Sequence, residues 1–279
     1  MTCPDPITNS APNLVPSITL PLISIFWLRT SGSVLRPAAG LVTALAHRWA
    51  DALLVTDENR LALIPERYRR KTSVLPNYPV YHSRPLPDVR PSGAVKILVA
   101  GALARTRGLP ELLAACEQLP DVEIWCAGPL VSPYVREVFL QDPRVHYHGV
   151  LAHEEVIALA LACDAIFAFY APTNLNNINA SPNKIFDGLL AGRPVLVNSE
   201  VKLSRFVLEH ACGSVCPYRD AGALATIIRS LPERRAALPA YERRVRALGA
   251  GGYSWEAVEG VLEKVLNNTR PAPHTEPVP

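Results

Sequence analysis

From residue 95 onward the chain alternates short apolar runs with longer stretches in which apolar residues recur every three or four positions. The runs VKILVA (95–100), VEIWCA (122–127), VHYHGV (145–150), AIFAFY (165–170), PVLVN (194–198) and GSVCP (213–217) predict strands. Helical patterns fall between and after them, near 108–119, 132–141, 153–162, 182–191, 199–210 and 220–231. Several runs are apolar at odd and even positions alike, which suits parallel strands whose sheet is covered by helices on both faces. This rhythm predicts a doubly wound, Rossmann-like α/β domain over residues 94–250. A last amphipathic helix over 251–268 has apolar residues at 255, 258, 261, 262, 265 and 266 and needs something to pack along.

Upstream the pattern is sparser. RPLPDVRPSG (84–93) reads as a linker. Before it come a helix ending near Ala50, a strand DALLVT (51–56), a short helix and TSVLP (72–76), one strand–helix–strand piece of a further α/β domain over 41–83. Residues 1–40 are irregular and proline-rich, and TRPAPHTEPVP at the C-terminus predicts a disordered tail over 269–279. The apolar stretch LVPSITLPLISIFWL (14–28) contains two prolines and is shorter than the roughly 20 residues of a membrane span. MTCPDPITNS lacks the basic leader of a signal peptide.

Composition narrows the class. With 279 residues, 49% hydrophobic and 19% charged, the chain can bury one or two cores and is too apolar for general disorder. A net charge of +3, with a local cluster at Arg67, Arg69, Arg70 and Lys71, gives no nucleic-acid footprint. It allows a weak attraction to phosphates or anionic lipid, and at most peripheral membrane association. Of the six cysteines, Cys116, Cys126 and Cys163 fall inside apolar patterns. Cys212 and Cys216 have no further Cys or His at metal-ligand spacing, so buried reduced thiols and a cytoplasmic location are expected, and no metal site.

In an open parallel sheet, ligands bind beyond the carboxyl ends of the strands. Three loops there have unusual composition. GALARTRGLPE (101–111) sets Arg105 and Arg107 between glycines, ahead of a helix whose first N–H groups are free. That arrangement suits a grip on phosphate oxygens, although for this loop alone a basic surface turn is the commoner reading. It is neither a Walker loop nor G-x-G-x-x-G. AGPLVSP follows the second strand, and APTNLNNINASPNK (171–184) places five asparagines ahead of the next helix.

That helix, SPNKIFDGLLAG, takes Ser181 as N-cap and Pro182 as its first residue. On a wheel of 100° per residue Ile185, Phe186, Leu189 and Leu190 form the core face, leaving Lys184, Asp187, Gly188 and Ala191 opposite. Lys184 in the first turn and Gly188 mid-helix both oppose helix stability. Two readings follow: a solvated i,i+3 ion pair, or an anion on the helix N-terminus and Lys184 with sugar hydroxyls on Asp187.

The string SPNKIFDGLLAGRPVLVNSE resembles the signature of the glycosyltransferase family 4 group, in which a Pro-x-Lys-x-x-Glu segment precedes an Ala-Gly-x-Pro-Val turn. In order along the chain, RWADALLVTDENRLALI, TSVLPNYPV, VKILVAGALARTRGLPELLAA, VEIWCAGP and VHYHGVLAHEEVIALALACDAIFAFY resemble its other landmarks, over residues 41–268. The resemblance implies the C-terminal, donor-binding half of a GT-B fold with a truncated N-terminal domain. It also implies transfer from a nucleoside-diphosphate sugar, as donor substrate rather than cofactor, to a glycan or lipid-linked acceptor in polysaccharide or glycoconjugate synthesis. The reaction would be retaining and metal-independent.

By position, Arg107, with Arg105 beside it, would face the diphosphate. Lys184 is the signature lysine and Asp187 the acid that holds the ribose. Ser181, Pro182 and Asn183 would offer backbone groups to the donor, and Gly149 would lie near the base. Asn179 stands where the family has a partner acid, Asp187 where it usually has Glu, and Ala102 where it often has Arg. No catalytic residue is assigned: His47 and His82 lie in the partial N-terminal unit, His47 on a helical pattern that suits a structural role. The other reading is a catalytically incomplete nucleotide-sugar-binding subunit that pairs with a separate acceptor-domain chain.

Overall fold

A computed structural model describes residues 36–81, 86–117 and 119–269. His82 and most of residues 1–40 and 269–279, with their sequence expectations, lie outside these. The chain divides into two compact units, Met1–Leu45 and Ala46–Pro279. Of the first, residues 36–45 are described, as the opening turns of helix α1 (Arg36–Trp49).

The second unit begins with a parallel pair, β1 (Leu53–Val55) and β2 (Thr72–Val74), joined through the short helices α2 (Glu58–Leu61) and α3 (Glu66–Arg69). The chain from 86 to 94 has no helix or strand. The main sheet then starts with β3 (Val95–Ala100), a 3₁₀ turn at Arg105–Arg107 and α4 (Leu109–Cys116). It continues with β4 (Val122–Ala127), α5 (Pro133–Glu137), β5 (Val145–Tyr147), α6 (His153–Ala162) and β6 (Ala165–Ala168). Next come α7 (Leu175–Ile178), α8 (Asn183–Ala191), β7 (Val195–Asn198), α9 (Ser204–Glu209) and β8 (Gly213–Cys216). Four helices close the chain: α10 (Ala221–Arg229), α11 (Leu231–Arg234), α12 (Leu238–Gly252) and α13 (Trp255–Thr269).

The six strands are parallel, in the order β5-β4-β3-β6-β7-β8. The order reverses between β3 and β6, as in a doubly wound nucleotide-binding sheet. Alternate residues feed opposite cores. Ile97, Val99, Phe167 and Leu196 pack on one face with α4 and α10, and Leu98, Ile166, Val195 and Val197 on the other with α6, α8 and α12. This two-sided burial is why the strand sequences are apolar throughout.

Several elements are shorter than their patterns, and two of them show why. The helix expected over 199–210 begins only at Ser204, because the amides before it bond elsewhere: Ser199 N–H to the Cys216 carbonyl and Lys202 N–H to the Ile178 carbonyl. The strand expected over 145–150 stops at Tyr147, at the sheet edge, where β4 is its one partner among the described residues. The terminal helix α13 approaches β2, and its start is tied upstream by Trp255 N–H to the Pro79 carbonyl at 2.9 Å.

Candidate functional site

The crevice at the strand-order reversal is a cavity of about 270 Å³. Its floor is the end of β3 and the turn beyond it (Val99–Ala102) with the end of β6 (Phe167–Tyr170), and its far wall is Ser181–Lys184. The loops after β3, β4 and β5 are laced together: Gly101 N–H bonds the Ala127 carbonyl at 2.9 Å, and Gly128 N–H the Gly149 carbonyl at 2.8 Å. Gly128 has φ +135°, and a Cβ there would lie 2.0 Å from the Gly101 oxygen. Any side chain at 128 would therefore push the floor loop out of place.

Five of the nine sequence candidates line this cavity: Arg107, Ser181, Pro182, Asn183 and Lys184. Arg107 lies over the Tyr170 ring, 4.1 Å from its centroid, and its Nη1 is buried with no hydrogen-bond partner among the described residues. Burial pushes the Tyr170 phenol above its ordinary pKa, against the pull of Arg107. The ring's backbone is clamped by the fully buried Asn198 at the end of β7, which accepts from Tyr170 N–H at 2.8 Å and donates to its carbonyl at 3.2 Å. Pro182, not Ser181, occupies the N-cap of α8, and no side chain caps the helix. The open first turn is itself part of the wall.

The other four candidates lie outside the lining. Arg105 extends over the Tyr134 ring at 5.3 Å. Gly149 contributes the carbonyl that ties the loops. Asn179 is buried, donating through Nδ2 to the Leu175 carbonyl at 2.8 Å, while its Oδ1 has no partner among the described residues. Asp187 sits behind Lys184, one oxygen 2.7 Å from Lys184 Nζ and the other 2.8 Å from His153 Nε2. Burial alone would raise the Asp187 pKa, but the hydrogen bonds and charges of His153 and Lys184 outweigh it and hold the carboxyl below its ordinary value. The partner carboxylate in turn raises the pKa of His153.

This arrangement corrects the helical-wheel expectation. Asp187, Gly188 and Ala191 do not form an open face; all three are buried. Helix α12 lies against α8, and β7 presses from another side. Gly188 leaves room for β7, not for a ligand: a Cβ there would meet Val195 Cγ1 at 2.5 Å and the Arg193 carbonyl oxygen at 2.9 Å.

Sequence reasoning missed His153, Tyr170 and Asn198. Tyr170 and Asn198 follow and end sheet strands, so a search of strand ends would have found them. His153 gives no such signal, because it lies 34 residues from its partner. His47 rests edge-on against Tyr68 at 5.6 Å. Cys116, Cys126, Cys163, Cys212 and Cys216 are free and buried, and burial pushes their thiols up to about 11 or 12.

No protein-family model and no curated protein sequence matches the chain. Solved structures do. Sucrose-phosphate synthase from Thermosynechococcus elongatus aligns with TM-score 0.64 and 20% identity, covering 88% of this chain and 66% of that one. HepE of Anabaena, solved with UDP-glucose, gives 0.65 and 17%, covering 82% and 66%. WaaG, a glycosyltransferase of lipopolysaccharide biosynthesis, gives 0.60 and 12%, covering 85% and 70%. The chain thus spans about two thirds of the length of the first two. Its fold is the mixed α/β, parallel-sheet, Rossmann-like architecture of these GT-B glycosyltransferases.

Proposed function

We propose that the cavity binds a nucleoside-diphosphate sugar and that the chain serves glycosyl transfer from it. The observation that carries this reading is the polar trio around one crevice. It comprises a buried guanidinium nitrogen of Arg107 without a hydrogen-bond partner among the described residues, the Lys184 ammonium, and the uncapped first turn of α8. An unpartnered buried cationic donor beside an open helix N-terminus is complementary to a diphosphate. Arg107, Lys184 and the helix dipole would neutralise the diphosphate as the bond from the anomeric carbon to its phosphate oxygen breaks, while an acceptor hydroxyl oxygen bonds that carbon and its proton passes to the departing phosphate oxygen. Resemblance to family 4 supports the finer reading: retention of configuration, no metal, and a glycan or lipid-linked acceptor in polysaccharide or glycoconjugate synthesis. Among the described residues no helix is long and apolar enough to cross a membrane. The cytoplasm, with peripheral contact at its membrane face, is the proposed location.

A panel of UDP- and GDP-sugars tested by thermal shift at about millimolar concentration checks the reading. A bound donor raises Tm by mass action, about 2.7 kcal/mol at a hundredfold excess over Kd. Arg107→Ala and Lys184→Ala are expected to abolish most of the shift, and a panel with no stabilising member sinks the donor site.

A second reading, a binding subunit completed by a separate acceptor-domain chain, is supported by the β1–β2 pair. Among the described residues the pair has no third strand, and Leu54 is 42% exposed. Parallel strands are ordinarily covered on both faces. Tight donor binding without sugar transfer or donor hydrolysis would favour this subunit.

A further inference from the structure

The carboxylate of Asp187 is nearly sealed from solvent, its side chain 3% exposed, yet it touches two groups of different standing, an ammonium and an imidazole that is a cation when protonated. Lys184, 18% exposed, lines the cavity; His153, 48% exposed, reaches Asp187 from the start of α6 and does not line it. A buried carboxylate holds its charge only while paired. Lys184 cannot be given wholly to a ligand phosphate unless another cation remains on Asp187.

We propose that His153 is a positioning residue of the donor site: its imidazolium keeps Asp187 paired when Lys184 turns from that carboxylate to a bound diphosphate. The inference rests on the nucleotide-sugar reading above. The charged groups acting on the imidazole are Asp187 and Lys184 from α8 and Glu154 from its own helix. Asp187 and Glu154 favour the imidazolium and Lys184 opposes it. Drawing the ammonium toward a ligand therefore removes the one opposing charge and raises the imidazole pKa again. Binding is then accompanied by proton uptake at His153, and the sign follows. Affinity is highest where the imidazole is already protonated and falls as pH rises through its pKa.

The test is calorimetric binding of UDP-glucose and GDP-mannose, whose diester phosphates stay fully ionised, from about pH 6 to pH 9, in buffers of differing ionisation enthalpy. Wild-type protein is expected to take up a proton and to lose affinity on the order of tenfold across the range. His153→Gln, which keeps a hydrogen-bond donor without a charge, should bind more weakly at low pH with a flat profile and no proton uptake. His153→Arg, a permanent cation, should restore affinity while leaving the profile flat. A purely structural histidine would show none of this pattern. Wild-type binding whose pH profile survives in His153→Gln overturns this inference alone; failure of the wild type to bind either probe at any pH overturns the donor reading and the inference with it.

Discussion

A methyl group added at Gly188 would lie 2.5 Å from Val195 Cγ1 and 2.9 Å from the Arg193 carbonyl oxygen. The first neighbour is a stiff β-branched side chain and the second is backbone, so neither yields cheaply. Gly188→Ala gains about 1 kcal/mol of helix propensity and meets an overpacking cost of about 1–3 kcal/mol. We expect net destabilisation, read as a Tm lower by a few degrees; a higher Tm would show that β7 can move aside. Lys184 has a different explanation from its neighbour. A cation in a first turn opposes the helix dipole, but its ammonium sits 2.7 Å from Asp187, one turn along on a nearly sealed carboxylate. The two residues that both look unfavourable in the helix sequence thus answer to separate neighbours, a strand for one and a carboxylate for the other.

Helix α8 is held from behind by α12. Glu242 of α12, 4% exposed, receives Arg193 from the turn after α8 and Arg90 from the segment ahead of β3. The Arg193 guanidinium is fully buried and also donates to the carbonyls of Leu161 and Cys163 at the end of α6. One side chain therefore ties together the C-terminal ends of α6 and α8, the two helices whose first turns carry His153 and Lys184. Glu242→Ala would leave that guanidinium buried without its carboxylate, a loss of about 3–5 kcal/mol. Because the helix ends would loosen together, donor binding should weaken along with stability, which equilibrium unfolding in urea and the calorimetric titration would measure on the same variant. Unchanged donor affinity in a destabilised Glu242→Ala protein would show that the site does not depend on this clamp. Little of the clamp is legible in the sequence. Gly192 and Pro194 mark the turn around Arg193, but nothing near Glu242 announces that it is the partner, 49 positions away.

At the scale of the whole molecule, the sheet was readable because two-sided burial writes itself into each strand as an unbroken apolar run, as in Ile97–Val99 and Val195–Val197. The crevice was readable only in part: the unusual loops after β3 and ahead of α8 flank it, but the reversal of strand order that opens it comes from the structure alone. What the pattern does not carry is charge pairing between distant elements, and pH exposes it. Asp187 has its pKa held below 3.8, so its contribution is full above that value and is lost as pH falls below it. His153 runs the other way. Its pKa is raised above 6.5, so its ionic contribution is full below 6.5 and disappears as pH rises through the folded-state value. His148, which burial and His146 push below 6.5, favours the folded state increasingly as pH rises past the same region, so the total stability curve mixes two histidines. Comparing wild type with His153→Gln cancels the His148 contribution, because both proteins carry it. The stability difference, from urea midpoints without any ligand, should therefore favour the wild type at about pH 5.5 and close toward zero by about pH 9. A difference that stays constant across that range would mean that a neutral imidazole holds Asp187 just as well, and Lys184 alone would then be the counter-charge that keeps this carboxylate buried.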